Sequence, residues 1–245
     1  MTRFLALLCL LWPLCLSAQP PLLRVGYFYL PPHGYTRGEQ PAGHALQYFK
    51  RVAQLMGVEV SYRQEPLSRL LQDRQLDMVL YLASTAERRR QLQFASQPLF
   101  LMQGVLVVRQ QSAYGAIRTA EQLQGMRIGI WADGYLSPLL ASRRAQLDAM
   151  SGDDVVERNL QKLAIGRIDA FYSPEPYSVR EVLRRQGWQG VYRLLPLPEA
   201  PVGLYSAFTE RGRTYLPSYE QALDAVLRQQ SYSDYLQQQL GLPPG

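Results

Sequence analysis

Cysteine is nearly missing from this chain: its two copies, Cys9 and Cys15, both fall before residue 19. From Gln19 onward there is no thiol, which excludes disulfide stapling, thiolate nucleophiles and cysteine metal sites. Histidine is equally scarce, at His33 and His44, with no H-x-x-x-H spacing for a metal. Lysine stands only at Lys50 and Lys162, so arginine carries the formal charge of +6. No basic run exceeds Arg88-Arg89-Arg90. That scatter argues against a nucleic-acid surface and for a solvated one that prefers anions. Beyond the N-terminus, no segment reaches the ~18 apolar residues that a membrane span needs.

What is present begins with Arg3, the apolar run FLALLCLLWPLCL, and Leu16-Ser17-Ala18 ahead of Gln19. This reads as a secretory signal over residues 1–18, cleaved near Ala18, and sets the expectation of a periplasmic protein. Leu8 and Leu14 precede the cysteines, so neither suits lipid attachment. The stretch that follows is long enough to bury its own core as one large domain or two lobes.

Strand-like and helix-like patterns then alternate. Leu22–Tyr29 reads as a strand broken by Pro31-Pro32, and His44–Met56 places apolar residues at helical spacing before Gly57. Val58–Tyr62 is strand-like, Leu67–Leu71 a short helix, and Leu76–Tyr81 a buried strand. This βαβαβ order predicts an α/β protein with mostly parallel sheets flanked by helices. The pattern recurs: Arg24-Val25-Gly26 is echoed by Arg127-Ile128-Gly129, and Leu76-Asp77-Met78 by Ile168-Asp169-Ala170. Two similar lobes are therefore expected, lobe 1 over 19–107 and 203–245 and lobe 2 over 108–202. Phe100–Arg109 and Val202–Phe208 are the expected crossings, and Pro217–Leu240 an apolar-striped helical tail with Ser231 and Ser233 as candidate caps.

Leu76–Leu99, LDMVLYLASTAERRRQLQFASQPL, is the most specific stretch. An apolar strand, a turn at Ser84 and Thr85, and a helix opening on Glu87 and Arg88 put a cation and free backbone N–H donors at a strand's carboxyl end. Open α/β sheets bind small anionic ligands there.

With LRVGYFYLPP, LMGVEV, GMRIGIWADG and LAIGRIDAFYSPEP in order around it, the whole mature chain resembles the periplasmic solute-binding proteins of family 3, associated with amino acid ABC transporters. The resemblance implies a two-lobed type II periplasmic binding protein-like fold with two hinge crossings. It also implies a monomer that captures a small-molecule solute for an ABC permease in the inner membrane, without a cofactor or nucleic acid. A sensing module serving a separate membrane partner is the alternative.

In that family the arginine of the T-x-x-R turn holds the ligand carboxylate, which implies this role for Arg88, with Ser84 and Thr85 beside it. The family's aspartate for a ligand ammonium has no counterpart here: Pro174 falls near its place, and Glu175 is the nearest carboxylate. Aromatic residues stand where polar ones would, among them Tyr29, Tyr81, Tyr135 and Tyr172. Asp133-Gly134 precedes a helix, and two readings stay open for it: backbone donors to a ligand, or a plain N-cap. Some proteins of this fold are dehydratases, for which Glu65 and Glu175 are the carboxylates available. No catalytic constellation is visible, so binding without turnover is expected.

Overall fold

The structure, a computed structural model, describes residues 19–142 and 144–241. The predicted signal segment lies outside the described residues. Among them, no helix is long and apolar enough to cross a membrane.

Two sheets dominate. The first runs in the order Glu59–Gln64, Leu22–Tyr27, Met78–Ala83, Val202–Phe208 and Gln93–Phe94, with Phe100–Met102 also pairing with Val202–Phe208. The second runs Gln146–Met150, Arg127–Trp131, Ala170–Ser173, Val105–Arg109 and Tyr192–Pro196. In each sheet the first three strands are parallel and the fourth is antiparallel to the third. Helices His44–Met56, Leu216–Gln229 and Tyr232–Leu240 cover the first sheet, and Val155–Ala164 and Tyr177–Gln186 pack on the second.

The sequence echo has a physical cause. The Arg24 backbone N–H donates to Asp77 Oδ2 at 2.8 Å, and the Asp77 N–H returns a bond to the Arg24 carbonyl at 2.9 Å. Arg127 and Asp169 repeat both bonds, at 2.8 and 2.7 Å. Each aspartate thus clips its strand to the neighbouring R-[VI]-G strand. The glycine is needed because a Cβ at Gly26 would stand 2.6 Å from Leu76, and one at Gly129 would stand 2.1 Å from Asn159 Oδ1.

Helix His44–Met56 matches its predicted bounds, and Gly57 closes it in the left-handed region at φ 66°. Three expectations need correction. Phe100–Arg109 is not one crossing strand. It breaks at Gln103-Gly104 into Phe100–Met102 in the first sheet and Val105–Arg109 in the second. The break is held by Gln103 Nε2, which donates to the Leu197 and Glu199 carbonyls of the returning chain at 2.8 and 3.2 Å. The first crossing therefore lies a little earlier than the expected division after 107. Asp133 caps no helix, because the next helix, Pro138–Ala141, is capped by Ser137, whose Oγ accepts from the Leu140 N–H. In the tail, Ser231 caps Tyr232–Leu240 and Ser233 lies inside that helix.

One local feature had no sequence signal. Leu82 pairs with Tyr205 and Val79 with Ala207, so Leu80 and Tyr81 together oppose Ser206. This bulge holds Tyr81 at φ 43°, a conformation costing a non-glycine residue roughly 1–3 kcal/mol. The bulge places the Tyr81 hydroxyl 2.8 Å from the Phe28 carbonyl, to which it donates.

Candidate functional site

The carboxyl end of Met78–Ala83 runs through Ser84 into the short helix Ala86–Arg89, whose cap is Thr85: its Oγ1 accepts from the Arg88 N–H at 3.2 Å. The Arg88 side chain reaches across the cleft. Its Nη1 donates to the Ala83 carbonyl at 3.0 Å, and its Nη2 to the Asp133 carbonyl, from the facing lobe, at 3.0 Å. Among the described residues Arg88 is in no ion pair. Burial pulls its pKa down against the opposing charges of Glu87 and Asp133. Beside it, the buried Ser84 Oγ has no hydrogen-bond partner among the described residues.

Below Arg88 lies a narrow cavity of about 30 Å³ between the lobes. Phe28, Leu30, Tyr81 and Met102 wall it from lobe 1, and Trp131, Tyr135, Pro174 and Glu175 from lobe 2. The Phe28 and Trp131 rings meet across the lobes at 5.3 Å between centroids. Burial raises the phenol pKa of both Tyr81 and Tyr135, so each stays a neutral donor.

The predicted residues separate into two groups. Tyr81, Arg88, Gly134, Tyr135 and Glu175 line this cavity, and Thr85 and Asp133 line an adjoining polar recess that shares Arg88. Asp133 takes part through its carbonyl, in a turn closed by the Gly134 N–H on the Trp131 carbonyl at 3.1 Å. Tyr29 and Tyr172 line a different pocket, which shares Leu30, Trp131 and Pro174 with the first but not Arg88. Tyr172 is buried there, and its pKa is pushed up by that burial.

Glu175 is 1 % exposed, and its oxygens are occupied. They accept from the Tyr177 N–H at 2.5 Å, the Ser178 N–H at 3.0 Å and the Ser178 hydroxyl. His33 Nε2 of lobe 1 approaches at 3.4 Å. Burial alone would raise this carboxyl's pKa, but the His33 and Ser178 interactions outweigh it and hold it below the ordinary carboxylate value. His33 Nδ1 lies 2.7 Å from the Tyr232 hydroxyl, and its ring stacks on Phe100 at 4.9 Å. Sequence reasoning missed His33 and Tyr232. They lie 142 and 199 positions from their partners Glu175 and His33, so no local pattern joins them.

Glu65, the other carboxylate considered for catalysis, pairs with Arg69 at 3.5 Å on the surface. Among the described residues no cluster of His, Asp and Glu is arranged to hold a metal.

Comparison with known proteins follows the same outline. The model of the bacterial extracellular solute-binding proteins, family 3, matches residues 23–240. An L-cystine-binding protein, TcyJ of Escherichia coli K12, is 24% identical over 132 residues, 53% of this chain and 49% of TcyJ. The match thus spans about half the length of that curated relative. Among solved structures, a histidine kinase sensor domain with similarity to periplasmic binding proteins superposes with a TM-score of 0.77 at 19% identity, covering 92% of this chain and 99% of its own. An ancestral arginine-binding protein bound to arginine gives 0.72 at 19% identity, over 90% and 99%. At these identities the structural matches establish the two-lobed fold.

Proposed function

Since the chain belongs to the bacterial extracellular solute-binding proteins of family 3, we propose that it captures a small carboxylate-bearing solute, amino-acid-like or an aromatic or cyclic acid, in the cleft beneath Arg88. The observation that carries this reading is Arg88 itself, a desolvated guanidinium between two lobes that is in no ion pair among the described residues. A guanidinium has five N–H donors. Two of them lie on the Ala83 and Asp133 carbonyls, leaving enough to hold both oxygens of a carboxylate. The unpartnered Ser84 hydroxyl is a further donor in the same turn.

A solute that touches both walls stabilises the closed arrangement over the open one, and closure is then the signal to a partner. The partner proposed is an ABC permease in the inner membrane, met by an exported, periplasmic monomer whose residues 1–18 have been removed. Dehydratase chemistry would need a cleft carboxylate able to exchange a proton. Glu175 is already engaged by four donors, so the reading is capture without turnover.

The test uses the exported protein, unfolded and refolded to strip carried-over ligand, in a thermal-shift panel of small carboxylates and their neutral amides. A ligand at 100 times its Kd adds roughly 2.7 kcal/mol, which at about 2–4 °C per kcal/mol is a shift of several degrees. The expected result is a shift from a carboxylate that its amide does not give. Equal shifts from acid and amide, or none from any carboxylate, would overturn the proposal.

A further inference from the structure

We infer that the cleft selects carboxylates that lack an ammonium group, so that its preferred ligand is a compact aromatic or cyclic acid and not the corresponding α-amino acid; this rests on the Arg88 reading above.

The inference comes from counting charges and acceptors around the cavity. A zwitterion brings a carboxylate for Arg88 and an ammonium that must leave water, and a buried ammonium needs acceptors to replace its hydration. Glu175 is the one acid among the residues lining the cavity, and Glu87 and Asp133, in the adjoining recess, already oppose the Arg88 charge. A carboxylate offers about four acceptor positions. Those of Glu175 are met by the Tyr177 N–H, the Ser178 N–H, the Ser178 hydroxyl and His33 Nε2. Three of these donors belong to the start of the helix Tyr177–Gln186, and the fourth, His33, belongs to the other lobe. Redirecting Glu175 to a ligand would strip the helix start and the lobe contact together.

The remaining walls do not replace it. Phe28, Leu30, Met102 and Trp131 are apolar. The Tyr81 and Tyr135 hydroxyl oxygens are neutral acceptors and bring no charge to balance an ammonium. Ring faces attract a primary ammonium less than its lost hydration costs. Arg88 is in no ion pair among the described residues, and a simple carboxylate gives it a direct partner without bringing a new cation. The same apolar walls suit a flat or cyclic body in place of the amino group's polar surroundings.

The experiment is calorimetric titration of the stripped protein with matched pairs: 3-phenylpropanoate against L-phenylalanine, and cyclohexanecarboxylate against 1-aminocyclohexanecarboxylate. The expected result is that the acid binds at least ~10-fold more tightly than its amino partner in a pair that binds. An amino acid that binds as tightly as its deaminated partner, with the binding lost in Arg88→Ala, overturns this inference and leaves the carboxylate clamp standing. Binding of neither class, or binding indifferent to Arg88→Ala, overturns both. In Glu175→Gln the acid-to-amino ratio should be unchanged. A selective loss of the amino acid in that variant would show that Glu175 meets the ammonium, and would also overturn the inference.

Discussion

In lobe 1 the strand Met78–Ala83 ends in a turn whose charged side chain, Arg88, faces the cleft without a counter-ion. In lobe 2 the matching strand, Ala170–Ser173, ends in a turn whose charged side chain, Glu175, is folded inward and fully engaged. The two strands hold the same place: each pairs in parallel with an R-[VI]-G strand through an aspartate clip. What differs is how the following helix is started. Thr85 supplies a hydroxyl cap, and the arginine of lobe 1, a donor that could not cap N–H groups, extends into the cleft. In lobe 2, Pro176 stands at the cap with no hydroxyl, and the carboxylate of Glu175 serves the exposed N–H groups. One frame therefore carries a cation that faces the cleft in lobe 1 and a carboxylate that holds the fold in lobe 2.

The largest expected effect comes from breaking the lobe 2 side of this contrast. Glu175→Ala leaves His33, Ser178 and two N–H groups facing a buried gap, and should cost about 3–5 kcal/mol by urea unfolding. Glu175→Gln retains an acceptor oxygen and should cost less. Acid should act in the same direction. The Glu175 pKa is depressed from its ordinary 4.5, so its stabilisation is complete above that value and is lost as pH falls through the lower folded pKa. The stability gap between wild type and Glu175→Gln should therefore narrow below about pH 4.5 and stay constant from there to neutrality.

The aspartate clips sharpen the comparison at smaller scale. Asp77 is buried and also meets Arg211 at 2.8 Å, whereas the Asp169 side chain is 25% exposed and meets Arg127 in solvent. Asp77→Ala should cost about 1–3 kcal/mol through the buried Arg24 N–H it orphans. Asp169→Ala should cost about 1 kcal/mol or less because solvent screens the pair and rehydrates its partners. Parallel denaturation curves of the two variants check the order. Of the same order is Tyr232→Phe, which removes one hydrogen bond to His33 and keeps the ring packing against Phe100, for about 1 kcal/mol.

The parts of this account that were readable from sequence are those written in short-range patterns. The R-V-G and L-D pairs announced two matching lobes because each aspartate clip recurs with the same local residues. Thr85 and Arg88 were readable because cap and cation sit three residues apart. Helix His44–Met56 followed from apolar spacing and Gly57. The break at Gln103-Gly104 was hidden because apolar strands lie on both sides of it, and only the returning chain at Leu197 and Glu199 shows where the lobes divide. The bulge at Tyr81 depends on its partner strand more than a hundred positions away. Glu175 was noticed as a carboxylate near the cleft, but its engagement by His33 and by its own helix required three-dimensional contacts. Asp133 looked like a cap because a helix follows it, yet Ser137, next to Pro138, does that work.

The most direct test of the central claim is the affinity of the best-binding carboxylate for wild type and for Arg88→Ala, measured by calorimetry on stripped protein. Removing one partner of a partly buried, hydrogen-bonded charge pair costs about 2–5 kcal/mol. The account therefore predicts at least ~30-fold weaker binding in Arg88→Ala, with unfolding stability lowered by about 1–3 kcal/mol as the Ala83 and Asp133 carbonyls lose their donor. Equal affinity in the two proteins would contradict it.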